Sequence, residues 1–234
     1  MERELTIIRL FAEERIQFII PPYQRAYSWG SNMNSENDNQ IIQFIEDLKE
    51  QKKRYFLGHF LFEKENNDEN ICLVIDGQQR LTSIVVFFSC MIKVLQEREQ
   101  NGEKLIDYDG EPIELWRLIE VFLISGKRKK FKTVDYDDNY FENLIINHHQ
   151  ENIANTDSKK KIKAAYDYFI EVMTEETTGE LVRWKKIVEN AVITKFEIRD
   201  KIQAAEIYGF QNNRGKVLTN LKLHHRILIT LHIL

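Results

Sequence analysis

Apolar positions recur along this chain in two rhythms, and their alternation sets out most of its secondary structure. From Leu81 to Leu95, the residues Leu81, Ile84, Val85, Phe88, Ile92 and Leu95 return at helical spacing, while Val86, Phe87 and Met91 are apolar as well. A helix buried on most sides is implied. Ile41, Ile42, Ile45 and Leu48 mark an amphipathic helix that stops near the basic triplet at 52–54. A third is marked over 158–173 by Ile162, Ala165, Tyr166 and Phe169, with Ser158 as candidate N-cap, and ELVRWKKIVENA (180–191) repeats the pattern. KIQAAEIYGF (201–210) also reads as a helix.

The shorter rhythm marks strands. YFLGHFLFEK (55–64) reads as a strand broken by Gly58, NNDEN (66–70) as a turn, ICLVI (71–75) as a buried strand and AVITKFEI (191–198) as another. Residues 5–20 are mostly apolar and end at Pro21-Pro22, which removes two backbone donors and forces an extended or turn conformation. IPPYQRAYSWG (20–30) is therefore non-helical and rich in aromatic and polar side chains, with the loop SNMNSENDN (31–39) behind it. The middle, about 97–157, is less regular, and IELWRLIEVFLI (113–124) fits a helix or a strand. With no internal repeat or long linker, the coarse partition is a mixed half, 1–97, followed by a mainly helical half, 98–234. The fold class expected is α+β.

Composition narrows the function classes. With 43% hydrophobic residues in 234, the chain can bury a real core, and 33 Lys+Arg against 37 Asp+Glu give a net charge of -4. No global basic field advertises nucleic acid, so any such binding comes from a local patch. GKRKKFK (126–132) is the candidate: Lys127, Arg128, Lys129, Lys130 and Lys132 can contact DNA phosphates or simply form a solvated face, and the acidic DYDDNYFEN behind them cancels part of the field. Cys72 and Cys90 lie inside apolar runs and read as buried thiols. His148-His149 and His224-His225 lack metal-site spacing and read as exposed or loop histidines. Charges at positions 2, 3, 4 and 9 spoil a signal-peptide core, and no apolar stretch reaches the ~18–20 residues of a membrane span, so a cytoplasmic protein is expected.

The densest chemistry is in LVIDGQQRLTSIVVFF (73–88), where an acid, a glycine, two amides and an arginine follow one another between a strand and a helix. A strand-to-helix turn leaves the helix's first N–H groups unpaired at the positive end of its dipole, which makes an anion site. Gly77 lets the backbone turn tightly, and Arg80 can grip phosphate oxygens with two parallel bonds. Asp76 can hold a metal ion or take a proton, and Gln78 or Gln79 can orient a water. The competing reading is that Asp76 merely caps the helix and Arg80 pairs with a surface acid. Neither Walker-type nor Rossmann glycine patterns occur, and no acyl-transfer triad is visible.

Four motifs in order carry a resemblance: IPPYQRAYSW (20–29), YFLGHFLFE (55–63), VIDGQQRLTSI (74–84) and NNRGKVLT (212–219). Together they resemble the amino-terminal domain of GmrSD-type modification-dependent restriction endonucleases over about 5–221. The resemblance implies a ParB/sulfiredoxin-like α/β core followed by helices, in which the DGQQR motif binds and hydrolyses a nucleoside triphosphate with Mg²⁺. It further implies that hydrolysis regulates cleavage of foreign, often modified, phage DNA by an HNH-type nuclease module or subunit. Residue by residue, Asp76, Gly77, Gln78, Gln79 and Arg80 would form the NTP site, with Asp76 as the Mg²⁺ ligand. Tyr23, Gln24 and Arg25 match the YQR motif, and Asn213, Arg214 and Gly215 match N-R-G. Arg25 and Arg80 would neutralise phosphate charge, Gln24 would fix a phosphate or a base edge, and 212–215 would close the pocket. Trp29 reads as core packing. Tyr208-Gly209 stand where the family has Phe-Glu, nothing resembling an HNH nuclease is present, and the tail to Leu234 reads as a truncated or frameshifted end. A non-catalytic DNA-sensing or protein-interaction module is the alternative function, and homo-oligomerisation stays open.

Overall fold

A computed structural model describes residues 2–12, 16–32, 35, 38–50, 55–65, 68–149 and 153–198. The expected helix at 201–210 and the NNRG motif, with Asn213, Arg214 and Gly215, lie outside the described residues.

The first apolar stretch divides into strand β1 (Glu2–Thr6), helix α1 (Ile7–Phe11) and strand β2 (Gln17–Ile19). The proline-containing segment after β2 is irregular, as its two fixed φ angles require. Helix α2 (Gln40–Glu50) follows, burying Ile41, Ile42, Phe44, Ile45 and Leu48 on one side. Strands β3 (Phe56–Lys64) and β4 (Ile71–Asp76) lead into α3 (Gln78–Gln100), whose residues from Leu81 to Ile92 are nearly all buried. This is the all-round apolar helix that the sequence predicts.

The ambiguous 113–124 segment resolves as helix α4 (Leu115–Phe122) running into a small ribbon, β5 (Ile124–Ser125) and β6 (Arg128–Lys129). Strand β7 (Phe131–Lys132) and helix α5 (Asp135–Phe141) come next, and α5 continues through a π-helical turn, Glu142–Ile146. Helices α6 (Asp157–Glu175) and α7 (Thr178–Glu189) precede the last described strand, β8 (Val192–Ile198). Two local expectations are corrected. Thr156, not Ser158, caps α6, accepting from the Lys159 N–H at 3.2 Å, while Ser158 is buried inside the first turn with its hydroxyl 3.1 Å from that of Thr156. Gly58 does not break β3: with φ at +92° it carries a bulge, and pairing continues on both sides.

Among the described residues six strands form one mixed sheet in the order β1-β8-β3-β4-β2-β7, which makes the fold α+β. Strands β4, β2 and β7 are mutually parallel, β3 is antiparallel to β4 and parallel to β8, and β1 closes the edge antiparallel to β8. Strand β8 thus comes from the mainly helical half and pairs with both β1 and β3 of the first 97 residues. One sheet face gives Phe18, Phe60, Phe62, Cys72, Val74, Phe131 and Ile193 to a core shared with the helices. Helix α3 runs through the middle of that core, packed on α4, α6 and α7. Both cysteines are buried, as the apolar runs around them imply. No described helix is long and apolar enough to cross a membrane.

Because β2, β4 and β7 are parallel, their carboxyl ends share one edge of the sheet. At that edge the turn after β4 and the Pro21-Pro22 segment after β2 lie side by side. Parallel strands bind ligands in this position, outside their carboxyl ends.

Candidate functional site

Strand β4 passes into α3 through Gly77, whose φ of +90° is left-handed, and a Cβ there would overlap the Phe60 ring. Glycine is needed on both counts. Gly77 itself is the N-cap of α3, and among the described residues no side chain caps the helix. Asp76 therefore does not have the capping role of the competing reading; it stands one residue before the N-cap of this 23-residue helix.

The two glutamines that follow are 6% exposed and clamp the neighbouring segment to this turn. Gln78 Nε2 donates to the Arg25 carbonyl at 3.2 Å, and Gln79 Nε2 to the Ala26 carbonyl at 3.1 Å. Gln79 Oε1 in turn accepts from the Ser28 N–H at 2.7 Å. Gln24 Nε2 closes the arrangement from the other side, donating 2.9 Å to the carbonyl of Ile75 at the end of β4. Deeper in, the Tyr27 hydroxyl lies 2.8 Å from Ser83 Oγ, which also donates to the Gln79 carbonyl at 2.9 Å. All three amide side chains thus hold the two segments together, whereas Gln78 Oε1 is buried without a hydrogen-bond partner among the described residues. A buried acceptor in that state is a place where a bound water or ligand can donate.

Between the turn and the clamped segment lies a cavity of about 540 Å³, lined by Tyr23, Gln24, Arg25, Asp76, Gly77, Gln78, Gln79 and Arg80 together with Ile75 and Trp29. All eight described residues that the two motifs single out meet here. Trp29 was expected in the core; it packs against the core cluster and also lines the cavity. Ile75 has no signal of its own in the sequence beyond its place before Asp76. Tyr23 is 39% exposed, and burial of its remainder, helped by the Glu63 charge, raises its hydroxyl to about 12, so it is a neutral donor at physiological pH.

The two arginines differ. Arg25 is exposed at the cavity. Arg80 turns its guanidinium to β3, donating through Nη1 to the Leu57 carbonyl at 2.5 Å and through Nη2 to the His59 carbonyl at 2.8 Å, over the Phe60 ring at 4.7 Å. Burial lowers its pKa and the nearby Asp76 charge opposes that shift.

Elsewhere, four of the five cations of the 127–132 run have partners within the chain. Arg128 pairs with Asp68 at 3.4 Å, Lys129 with Asp138 at 2.9 Å and Glu142 at 2.7 Å, and Lys132 with Asp135 at 2.8 Å. Lys130 is 2% exposed and donates to the Phe11 carbonyl at 2.9 Å, while Lys127 is exposed. Among the described residues no three His, Cys, Asp or Glu side chains are grouped to hold a metal. A lone carboxylate such as Asp76 nevertheless suits Mg²⁺ that arrives with a phosphate, because that ion keeps most of its waters and takes one or two protein ligands.

The sequence profile of the GmrSD restriction endonuclease N-terminal domain matches residues 7–229. The chain belongs to this family. A search of curated proteins finds no match. The GmrSD match takes in the whole sheet edge described above, both walls of the cavity and the NNRG stretch beyond the described residues. It makes the chain a member of a restriction endonuclease family and gives the cavity its most direct context.

Proposed function

We propose that this GmrSD N-terminal domain binds a nucleoside triphosphate in the cavity at the Asp76–Arg80 turn and hydrolyses it to regulate DNA cleavage by an HNH-type nuclease module or subunit. The carrying observation is one cavity of about 540 Å³ that receives the uncapped start of a 23-residue helix together with Arg25 and Asp76. A space of that size suits a nucleotide. The polyphosphate lies at the α3 N-terminus, where the helix dipole and unpaired N–H groups favour anions, and Arg25 neutralises charge from the rim. Bound Mg²⁺ supplies charge neutralisation to the phosphates, with Asp76 as its protein ligand. Trp29 and Tyr23 offer aromatic faces to the base. Gln78 Oε1 accepts a hydrogen bond from the attacking water and orients it; an amide is no base, so the proton passes to a phosphate oxygen.

A second reading has its own support. Gln24, Gln79 and Arg80 are already engaged inside the fold, which suits a module that binds nucleotide or DNA and signals without turnover. Isothermal titration with each of the four NTPs plus Mg²⁺, on the parent protein and on Arg25→Ala, tests the shared step. Binding that Arg25→Ala weakens by at least roughly tenfold supports the site, since a charge-assisted contact contributes about 1.5–3 kcal/mol. Absence of binding by all four NTPs refutes it.

A further inference from the structure

Arg80 belongs by sequence to the motif that faces the cavity, yet its guanidinium is engaged on the strand beneath. We infer that Arg80 is a positioning residue that holds the bulged start of β3 under the turn, and that Arg25 is the guanidinium that meets phosphate. This rests on the NTP reading of the cavity and divides its two arginines between different tasks.

The geometry begins at Gly58. The pairing of β3 with β8 shifts register between Phe56 and Gly58, and a bulge of this kind turns carbonyls away from the regular ladder. Leu57 O and His59 O, on either side of Gly58, are the two acceptors that Arg80 takes. Its planar fork matches two acceptors at once, as a lysine cannot. Gly58 has φ at +92°, and a Cβ there would overlap Arg80 Nη1, so the guanidinium lies against the bare Cα.

Phe60 carries the connection forward. Its ring lies 4.7 Å from the guanidinium and also fills the space where a Gly77 Cβ would stand. Arg80 therefore fixes β3, β3 fixes the Phe60 ring, and that ring supports Gly77 and with it the carboxylate of Asp76. Arg25 is fixed differently: its carbonyl accepts from Gln78 Nε2, while the residue is exposed at the cavity. Its backbone is held and its side chain faces the space where a ligand enters.

The test compares Arg80→Lys, Gly58→Ala and Arg25→Ala with the parent protein by steady-state phosphate release, using the NTP with the fastest turnover plus Mg²⁺. Hydrogen exchange of the backbone at 56–62 is measured in parallel without nucleotide. Arg80→Lys keeps a cation but loses the fork, and Gly58→Ala displaces the guanidinium without removing its charge. Both are expected to lower kcat by about a hundredfold, the scale of an ångström-size misplacement, with KM within about twofold, and to speed exchange over 56–62. Arg25→Ala is expected to raise KM by at least roughly tenfold and to leave that exchange unchanged. The inference is overturned if Arg80→Lys turns over like the parent, or if it raises KM while exchange stays as in the parent. A parent protein with neither turnover nor nucleotide affinity refutes the NTP reading instead. Exchange at 56–62 then decides by itself whether Arg80 holds β3, and unchanged exchange in Arg80→Lys refutes that as well.

Discussion

Replacing Gln79 by alanine separates the turn from the segment it clamps, and the cost can be worked from the bonds removed. Gln79 gives one bond to the Ala26 carbonyl at 3.1 Å and takes one from the Ser28 N–H at 2.7 Å, from a side chain 6% exposed. Leaving a buried polar group unpaired costs about 1–3 kcal/mol. Ser28 is exposed, so water replaces much of its loss, whereas Ala26 is only partly accessible. Adding the packing of the lost side chain, the expected destabilisation is about 2–3 kcal/mol. At roughly 2–4 °C per kcal/mol for a chain of this length, the melting midpoint falls by about 5–10 °C. Urea unfolding followed by circular dichroism measures the energy, and hydrogen exchange over 21–30 shows where it is lost. Gln79→Glu is the companion variant, since ionised it still accepts from Ser28 but sets a carboxylate against the Ala26 carbonyl. Burial raises its folded-state pKa above the ordinary value of about 4.3. Its stability relative to the parent is therefore fullest below that value and is lost as pH rises through the folded pKa. A Gln79→Ala protein within about 0.5 kcal/mol of the parent, with unchanged exchange over 21–30, refutes the clamp.

Further outcomes follow from other parts of the fold. Burial, with Lys93 nearby, lowers the His148 pKa to about 4, so stability is full above the unfolded value near 6.5 and is lost as pH falls toward 4; its exposed edge limits the effect to about 1–2 kcal/mol. His148→Asn, which tolerates the positive φ of 52°, removes that slope in unfolding titrations between pH 4 and 7. Cys72 and Cys90, 2% and 0% exposed, react with a thiol reagent only after denaturation, and fast labelling of the native protein contradicts the core described. Lys130→Ala leaves the Phe11 carbonyl without its donor and costs about 2–4 kcal/mol in thermal unfolding, whereas Lys127→Ala, at an exposed position, changes stability by less than about 0.5 kcal/mol.

Sustained periodicity made α2, α3, α6, α7, β4 and β8 legible, because each carries enough apolar repeats for one period to prevail. Helix α4, with 8 residues, carries too few repeats to separate the two periods before the structure is seen. Gly58 looked like a strand breaker because a glycine signals lost pairing as readily as a bulge; only the Arg80 fork and the φ of +92° decide for the bulge. At the turn, the chemistry was legible because five functional residue types are adjacent in sequence. Their division of labour was not, because the partners of Gln24, Gln78 and Gln79 are 51 to 53 positions away. In the same way, a left-handed Gly77 moves the helix cap one residue past Asp76, which no composition rule foretells.

The most direct measurement is phosphate release by the purified protein with ATP, GTP, CTP and UTP plus Mg²⁺, with and without DNA, on the parent and on Asp76→Asn. Asp76→Asn keeps the shape of the turn and removes the charge that a nucleotide-bound cation needs. The account predicts turnover of at least one NTP by the parent and its loss, by about a hundredfold or more, in the variant. Equal turnover in both proteins, or none in a parent protein that also binds no nucleotide, contradicts the claim that this sheet edge is an NTP site.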